Sequence, residues 1–206
     1  MQTNLFDENG KLISQGLMGT NYCRNLSMIG CTVARFDAHC QVYNVTIRGC
    51  EMERINLIGF GTALVEDTTI HDRYIFNLRE DYGSMFAGEI ILRNVNMVRE
   101  GTQRLALFNG AWHNHNFGYP VYLPQKITID NLRVPEGAYV TAFTSNFDSY
   151  EDVTKAVLRD GTENKNPLYL PQTMEVLSNP AGTSFRSADG AIPFPDFTGD
   201  TGEQTK

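Results

Sequence analysis

Short runs of alternating hydrophobic and polar residues recur along this chain in one pattern. Two apolar residues at alternate positions are followed, two positions later, by Gly, Asp or Asn, and three positions after that by another apolar residue. The clearest copies are residues 26–33 (LSMIGCTV) and 45–52 (VTIRGCEM). Apolar side chains at alternate positions lie on one side of a β-strand. Because self-similarity at a period of about 20–50 residues indicates a stacked architecture, the sequence predicts stacked strands.

Five copies of the pattern, which we call repeats 1 to 5, are identified by the residue at the Gly, Asp or Asn position. In chain order these residues are Gly30, Gly49, Asp67, Asn94 and Asn131. Gly, Asp and Asn tolerate a left-handed backbone better than other residues, so we expect a sharp corner at each position. A second apolar alternation follows each corner, and its first inward-facing residues are predicted to be Phe36, Ile55, Phe76, Leu105 and Val140.

Each repeat is thus predicted to contain two or three short strands with tight bends and no space for a helix. Successive repeats stack strand on parallel strand, about 4.8 Å apart, which predicts an all-β, single-stranded parallel β-helix of about five to six turns. We assign it residues 20–145. Residues 1–19 are expected to form a hairpin cap about Asn9-Gly10, and residues 146–206 a C-terminal cap with one short helix (148–161) and an extended tail.

Charge and cysteine usage exclude several classes of function. The net charge of −7 argues against sequence-independent binding to nucleic acid, which depends on Lys and Arg. No apolar run approaches the roughly 20 residues that span a membrane, and the first residues do not resemble a secretion signal. Cys31 and Cys50 occupy the same position in adjacent repeats, so we expect stacked, buried free thiols, as suits folding in a reducing cytoplasm. No metal cluster or phosphate-binding loop is present in the sequence, so no metal or other cofactor is expected.

A polar column is the first candidate site. If Phe36, Ile55 and Phe76 point inward, their neighbours point outward, and stacking aligns Asp37, Asn56 and Asn77. His39 and Arg79 lie at the ends of two of these strands, and Asp81 and Tyr82 follow. Such a face fits sugar binding or acid/base chemistry, and Asp37 with Asp81 is the best carboxyl pair for a glycosidase. The alternative is that these polar residues only solvate the outside of the stack.

Two insertions, residues 79–89 and 109–125, are predicted to form the walls of a groove whose floor is the polar column. The expected wall residues are Tyr82, Trp112, His113, His115 and Tyr119. Aromatic rings with polar tips suit carbohydrates or a protein partner. A metal site at the His-x-His pair lacks a third ligand nearby, and the loop could instead pack on the stack or on a neighbouring subunit.

Residues 26–143 resemble right-handed parallel β-helices of the pectin-lyase-like superfamily. The segments YCRNLSMIGCTVARFDAH, RINLIGFGTALVEDTTI and NLREDYGS are similar to those of bacteriophage tail spike and appendage proteins and of related proteins of gut bacteria. The lyase pattern of calcium-binding aspartates with a catalytic Arg or Lys is not legible. The resemblance implies a homotrimeric glycan-recognition module that binds a bacterial surface or plant-type polysaccharide. It would belong to a phage virion, or to a secreted or cell-surface bacterial protein.

The resemblance also leaves open a second class of function, because this superfamily contains enzymes as well as adhesins. In that case the chain would be a polysaccharide-degrading hydrolase or lyase. The residues expected to act are Asp37 and His39, together with Arg79 or Asp81.

Overall fold

The computed structural model describes most of the repeat region and isolated parts of the two ends. The described residues are 5–6, 8–9, 12–14, 16–78, 86–110, 121–122, 124–143, 168–169, 173–178, 184–185 and 197–198. Within them the chain is all-β and contains no helix. The predicted helix at 148–161 lies outside the described residues.

Nineteen strands follow one another along the described parts of the chain. They are β1 (Leu5–Phe6), β2 (Leu12–Ser14), β3 (Leu17–Thr20), β4 (Cys23–Ile29), β5 (Thr32–Ala38), β6 (Val42–Arg48), β7 (Glu51–Leu57), β8 (Gly59–Glu66), β9 (Thr69–Ile70), β10 (Tyr74–Leu78), β11 (Phe86–Met97), β12 (Arg104–Gly110), β13 (Val121–Tyr122), β14 (Lys126–Arg133), β15 (Tyr139–Phe143), β16 (Leu168–Tyr169), β17 (Thr173–Ser178), β18 (Ser184–Phe185) and β19 (Phe197–Thr198).

Fifteen of these strands form one sheet, and every pairing in it is parallel. The strand before each corner pairs with the strand before the next corner, in the order β4, β6, β8, β11, β14 and β17. The strands after the corners pair in the order β3, β5, β7, β10, β12, β15 and β18. Each repeat therefore pairs with the next one in two ladders, and β9, which pairs with both β7 and β11, joins the ladders into one sheet. The predicted N-terminal hairpin is also present, as the antiparallel pair β1–β2.

The predicted corners are confirmed. The five Gly, Asp and Asn positions all have a left-handed backbone, with φ of 62° at Gly30, 59° at Gly49, 49° at Asp67, 51° at Asn94 and 65° at Asn131. At three of them the corner amide donates to a carbonyl of the next repeat, for example Gly30 N to Arg48 O at 2.9 Å. The corners are thus stacked as well as bent.

Asparagine and aspartate side chains connect the later corners to each other. Asn94 Nδ2 donates to Asp67 Oδ1 at 3.0 Å, and Asn131 Nδ2 donates to Asn94 Oδ1 at 2.8 Å. These residues therefore supply both the left-handed backbone and hydrogen bonds between repeats, whereas glycine supplies only the first.

The core consists of apolar columns that run through the repeats. One column, before the corners, contains Ile47, Val65, Leu92 and Ile129, which are in register and almost fully buried. A second, after the corners, contains Phe36, Ile55, Phe76 and Phe108. The rings of Phe76 and Phe108 stack with their centroids 5.7 Å apart. Each such side chain stabilises the fold by about 1.5–3 kcal/mol through burial.

The register of repeat 4 corrects one prediction. Phe108, and not Leu105, aligns with Phe76. Both side chains are buried, as are those of Ala106 and Leu107, so four consecutive positions of β12 are removed from solvent. When both faces of a strand are buried, alternation in the sequence no longer identifies the inward face.

The first insertion is shorter than predicted. Phe86 to Glu89, assigned to the loop 79–89, belong to β11 and pair with Gly59 to Thr62. Beyond the fifth repeat, β17 pairs with β14 in parallel, so the ladder before the corners continues by one further strand.

Charged side chains of alternating sign form a ladder on the outside of the stack. Arg48, Glu66, Arg93 and Asp130 occupy the same position in repeats 2 to 5. Glu66 binds Arg48 through one carboxylate oxygen and Arg93 through the other, the latter at 2.9 Å, and Arg93 Nε lies 3.5 Å from Asp130 Oδ2. Hydrogen bonds from Arg93 and Arg48 lower the pKa of Glu66 below its ordinary value. We call these four residues the charge ladder.

Candidate functional site

The predicted polar column is in register. Asp37 pairs with Asn56 and Asn56 with Asn77, and the column continues to Asn109, whose Nδ2 donates to Asn77 Oδ1 at 2.9 Å. Its exposure differs from the prediction, because only 8% of Asp37 and 6% of Asn56 is accessible. Ile75, which alternates with the inward Phe76, is fully buried too. This face is therefore covered at these positions and is not an open floor.

Asp37 and Asn56 have different polar environments. Asp37 Oδ2 lies 3.5 Å from Arg35 Nη2, so its charge is partly compensated. Asn56 Oδ1 is buried and accepts no hydrogen bond within the described part of the chain. An unpaired buried acceptor lowers the free energy of unfolding by about 1–3 kcal/mol, so Asn56 is destabilising at this position.

The structure describes only one of the remaining predicted site residues, His39. His39 is exposed in the turn after β5, where its backbone amide donates to Thr20 O at 2.9 Å. The predicted walls and their partners lie outside the described residues: Arg79, Asp81, Tyr82, Trp112, His113, His115 and Tyr119. The groove itself therefore stays a prediction.

An exposed aromatic surface, which the sequence interpretation missed, lies on the strands before the corners. Arg24, Tyr43 and Phe60 are in register on β4, β6 and β8. The rings of Tyr43 and Phe60 are 5.0 Å apart at an interplanar angle of 47°, and Arg24 Cζ lies 5.8 Å from the centroid of Tyr43. Tyr22 is 75% exposed beside them. We call Tyr22, Arg24, Tyr43 and Phe60 the aromatic surface.

The aromatic surface borders an open depression of about 190 Å³. Its lining is Tyr22, Cys23, Arg24, Gln41, Tyr43 and Phe60. Rings, a guanidinium and an amide converge there, so the depression offers flat apolar area together with hydrogen-bond donors. The signal in the sequence was weak, since Tyr and Phe are also common strand residues. The clearest sequence signal of an exposed ring was the Gly59-Phe60-Gly61 triplet, because glycine has no side chain that could cover the Phe60 ring from a neighbouring position.

A second depression, of about 250 Å³, lies beside the strands after the corners. It is lined by Thr32, Val33, Glu51, Met52, Glu53 and His71. His71 Nε2 lies 2.8 Å from Glu51 Oε1, and both side chains are about half exposed. Solvent screening weakens an ion pair at this exposure, so the contact by itself does not indicate a functional site.

The predicted stacking of Cys31 and Cys50 is confirmed, but the predicted burial holds only for Cys50. Both thiols are free, and the backbone N of Cys31 lies 3.4 Å from Cys50 Sγ. Cys50 is buried, which raises the pKa of its thiol, whereas Cys31 is half-buried.

Among the described residues no group of three or more His, Cys, Asp or Glu side chains is placed to hold a metal ion. No helix in the described ranges is long and apolar enough to cross a membrane.

No protein-family model, curated protein or solved structure matches the chain.

Proposed function

We propose that the repeats form a right-handed parallel β-helix of the pectin-lyase-like type. The support is the pairing of each repeat with the next in two parallel ladders, with a left-handed corner between them. A chain that coils once per repeat produces this pairing, because each strand lies beside its counterpart in the next coil.

The function we propose is glycan recognition by a phage tail spike or a similar surface appendage. The observation that carries it is the aromatic surface, where Tyr43 and Phe60 stay exposed on paired strands near one end of the stack. Aromatic rings stack on the apolar faces of sugars, while Arg24 and Gln41 can donate hydrogen bonds to hydroxyl groups. The rings are held by strands on both sides, so little conformational entropy is lost when a glycan binds.

The test is binding to a panel of bacterial surface and plant polysaccharides, measured by calorimetry or on a glycan array. We expect Tyr43→Ala and Phe60→Ala each to weaken the binding of a positive glycan about tenfold or more, because each removes an exposed aromatic contact. Ile29→Ala is the matched control, since Ile29 is 66% exposed on β4 but does not line the depression. Equal binding by all three variants and the wild type would overturn this assignment.

The same panel separates recognition from degradation. A hydrolase or lyase would release reducing ends or unsaturated products, and Asp37→Asn would abolish that release. Burial of Asp37 beside Arg35 does not favour such a role, since a catalytic carboxyl must reach the substrate. Release of products that depends on Asp37 would replace the recognition proposal by the enzymatic one.

The proposal includes assembly as a homotrimer on a phage virion, after folding in the host cytoplasm. Terminal repeats of a stack expose edges that need a cap or a neighbouring chain. Light scattering at working concentration is expected to give three times the mass of one chain. A molecular mass equal to that of one chain would contradict the trimer and leave the glycan assignment to its own test.

A further inference from the structure

Cys31 and Cys50 lie in one column, directly after the corners of repeats 1 and 2. Their neighbours Thr32 and Glu51 are in register, so the two cysteines face each other across adjacent strands. Parallel strands are about 4.8 Å apart, which lies within the range of Cα separations that a disulfide bridges, about 4.4–6.8 Å. The next residue in the column is Thr68, so no third thiol competes there.

The thiols already take part in one set of local contacts. Cys31 Sγ donates to Ile29 O at 3.5 Å, and Cys50 Sγ to Arg48 O at 3.3 Å. Thr68 Oγ1 makes the equivalent bond to Glu66 O at 2.8 Å. Each of these side chains therefore satisfies the carbonyl just before its own corner. The cysteines are held at fixed positions, and threonine can replace either of them with the same contact.

From this geometry we propose that Cys31 and Cys50 form a disulfide bond when the protein meets an oxidising environment. This inference concerns the stack itself and holds whether or not the chain binds glycans. The bond would join repeat 1 to repeat 2 at the end of the stack that carries Arg24 and Tyr43. It would form only after folding, since register brings the thiols together.

The reaction balances with a low-molecular-weight disulfide such as oxidised glutathione as the oxidant. The half-buried Cys31 is reached first, and its thiolate attacks the glutathione disulfide, which releases one glutathione thiolate. Cys50 then loses its proton to solvent, and its sulfur attacks the Cys31 sulfur of the mixed disulfide. The second glutathione leaves as a thiolate. Two protein thiols are oxidised, and one glutathione disulfide is reduced to two thiols.

The other two cysteines provide an internal control. Cys23 is in register with Val42, so it does not align with Cys40, and both are half-buried. Trypsin separates all four cysteines, because the expected peptides 12–24, 25–35, 36–48 and 49–54 contain Cys23, Cys31, Cys40 and Cys50 respectively. A linked pair can therefore be assigned without ambiguity.

The experiment incubates the folded chain with oxidised glutathione, blocks free thiols, and maps tryptic peptides by mass spectrometry without reduction. We expect peptide 25–35 linked to peptide 49–54, and a thermal midpoint several degrees above that of the reduced protein. Cys50→Thr should retain glutathione on Cys31 and show no rise in the midpoint. Cys40→Thr should behave like the wild type.

Two results would overturn the proposal. One is a wild-type protein in which Cys31 carries glutathione but never joins Cys50. The other is a linked pair that involves Cys23 or Cys40 in preference. If either threonine variant fails to fold, the wild-type peptide map alone still decides, since it needs no substitution.

Discussion

Replacing Gly88 by alanine is expected to destabilise the fold by about 3–5 kcal/mol, because backbone overlap and backbone strain add. A Cβ at Gly88 would lie 2.0 Å from Gly61 O and 2.9 Å from Gly61 N. These are backbone atoms of the neighbouring strand, so the overlap is relieved only by separating β8 from β11. The φ of Gly88 is also +142°, a value that residues with a side chain rarely adopt. Urea unfolding followed by circular dichroism measures the loss.

Gly101→Ala is the matched control for this prediction. Gly101 has φ of +72° but nothing within 4 Å of its would-be Cβ, so only the backbone conformation is penalised. We expect a loss of about 1–2 kcal/mol there. If both variants lose the same free energy of unfolding, close approach of the backbones contributes nothing and the explanation for Gly88 fails.

Asn94→Ala is expected to cost about 2–3 kcal/mol, the second largest effect in the molecule that we predict. Asn94 is the centre of the corner ladder, since it donates to Asp67 and accepts from Asn131. Alanine removes both hydrogen bonds and must also adopt the left-handed φ of 51°. The measurement is the midpoint and slope of urea unfolding, compared with the wild type.

Asn94→Gly separates the two contributions. Glycine accepts the left-handed backbone but makes neither side-chain bond, so it should lie between the wild type and Asn94→Ala. The gap between the glycine and alanine variants gives the conformational part. If Asn94→Gly proves as stable as the wild type, the side-chain ladder adds no stability and only the backbone matters.

The corners and columns were predictable because they depend on local chemistry. A left-handed corner needs Gly, Asp or Asn, and strand residues on one side must be apolar, so both leave a pattern at fixed spacing. That pattern identified Gly30 and Gly49 as corners and aligned Asp37 with Asn56. No long-range information was needed for either result.

Burial of the polar column was not predictable, because it depends on what packs against it. Asparagine side chains are mostly exposed in proteins, yet Asn56 is buried in this structure. Leu105 was wrongly aligned with Phe76 because β12 is buried on both faces, and such a strand shows no alternation of apolar and polar residues.

The aromatic surface was missed because residues that are usually buried in strands are exposed here. Tyr43 and Phe60 are ordinary strand residues in the sequence, and only the structure shows that they are exposed.

The charge ladder has a consequence for the order in which repeats assemble. The apolar columns are interchangeable, since a stack that omitted one repeat would still bring Ile47 against another aliphatic residue. The alternating charges are not interchangeable. Omission of repeat 3 would place Arg48 against Arg93, and omission of repeat 4 would place Glu66 against Asp130, and like charges directly opposite destabilise a strand pair. The ladder thus favours the native order of repeats, because a stack that skipped repeat 3 or repeat 4 would place like charges side by side at its surface.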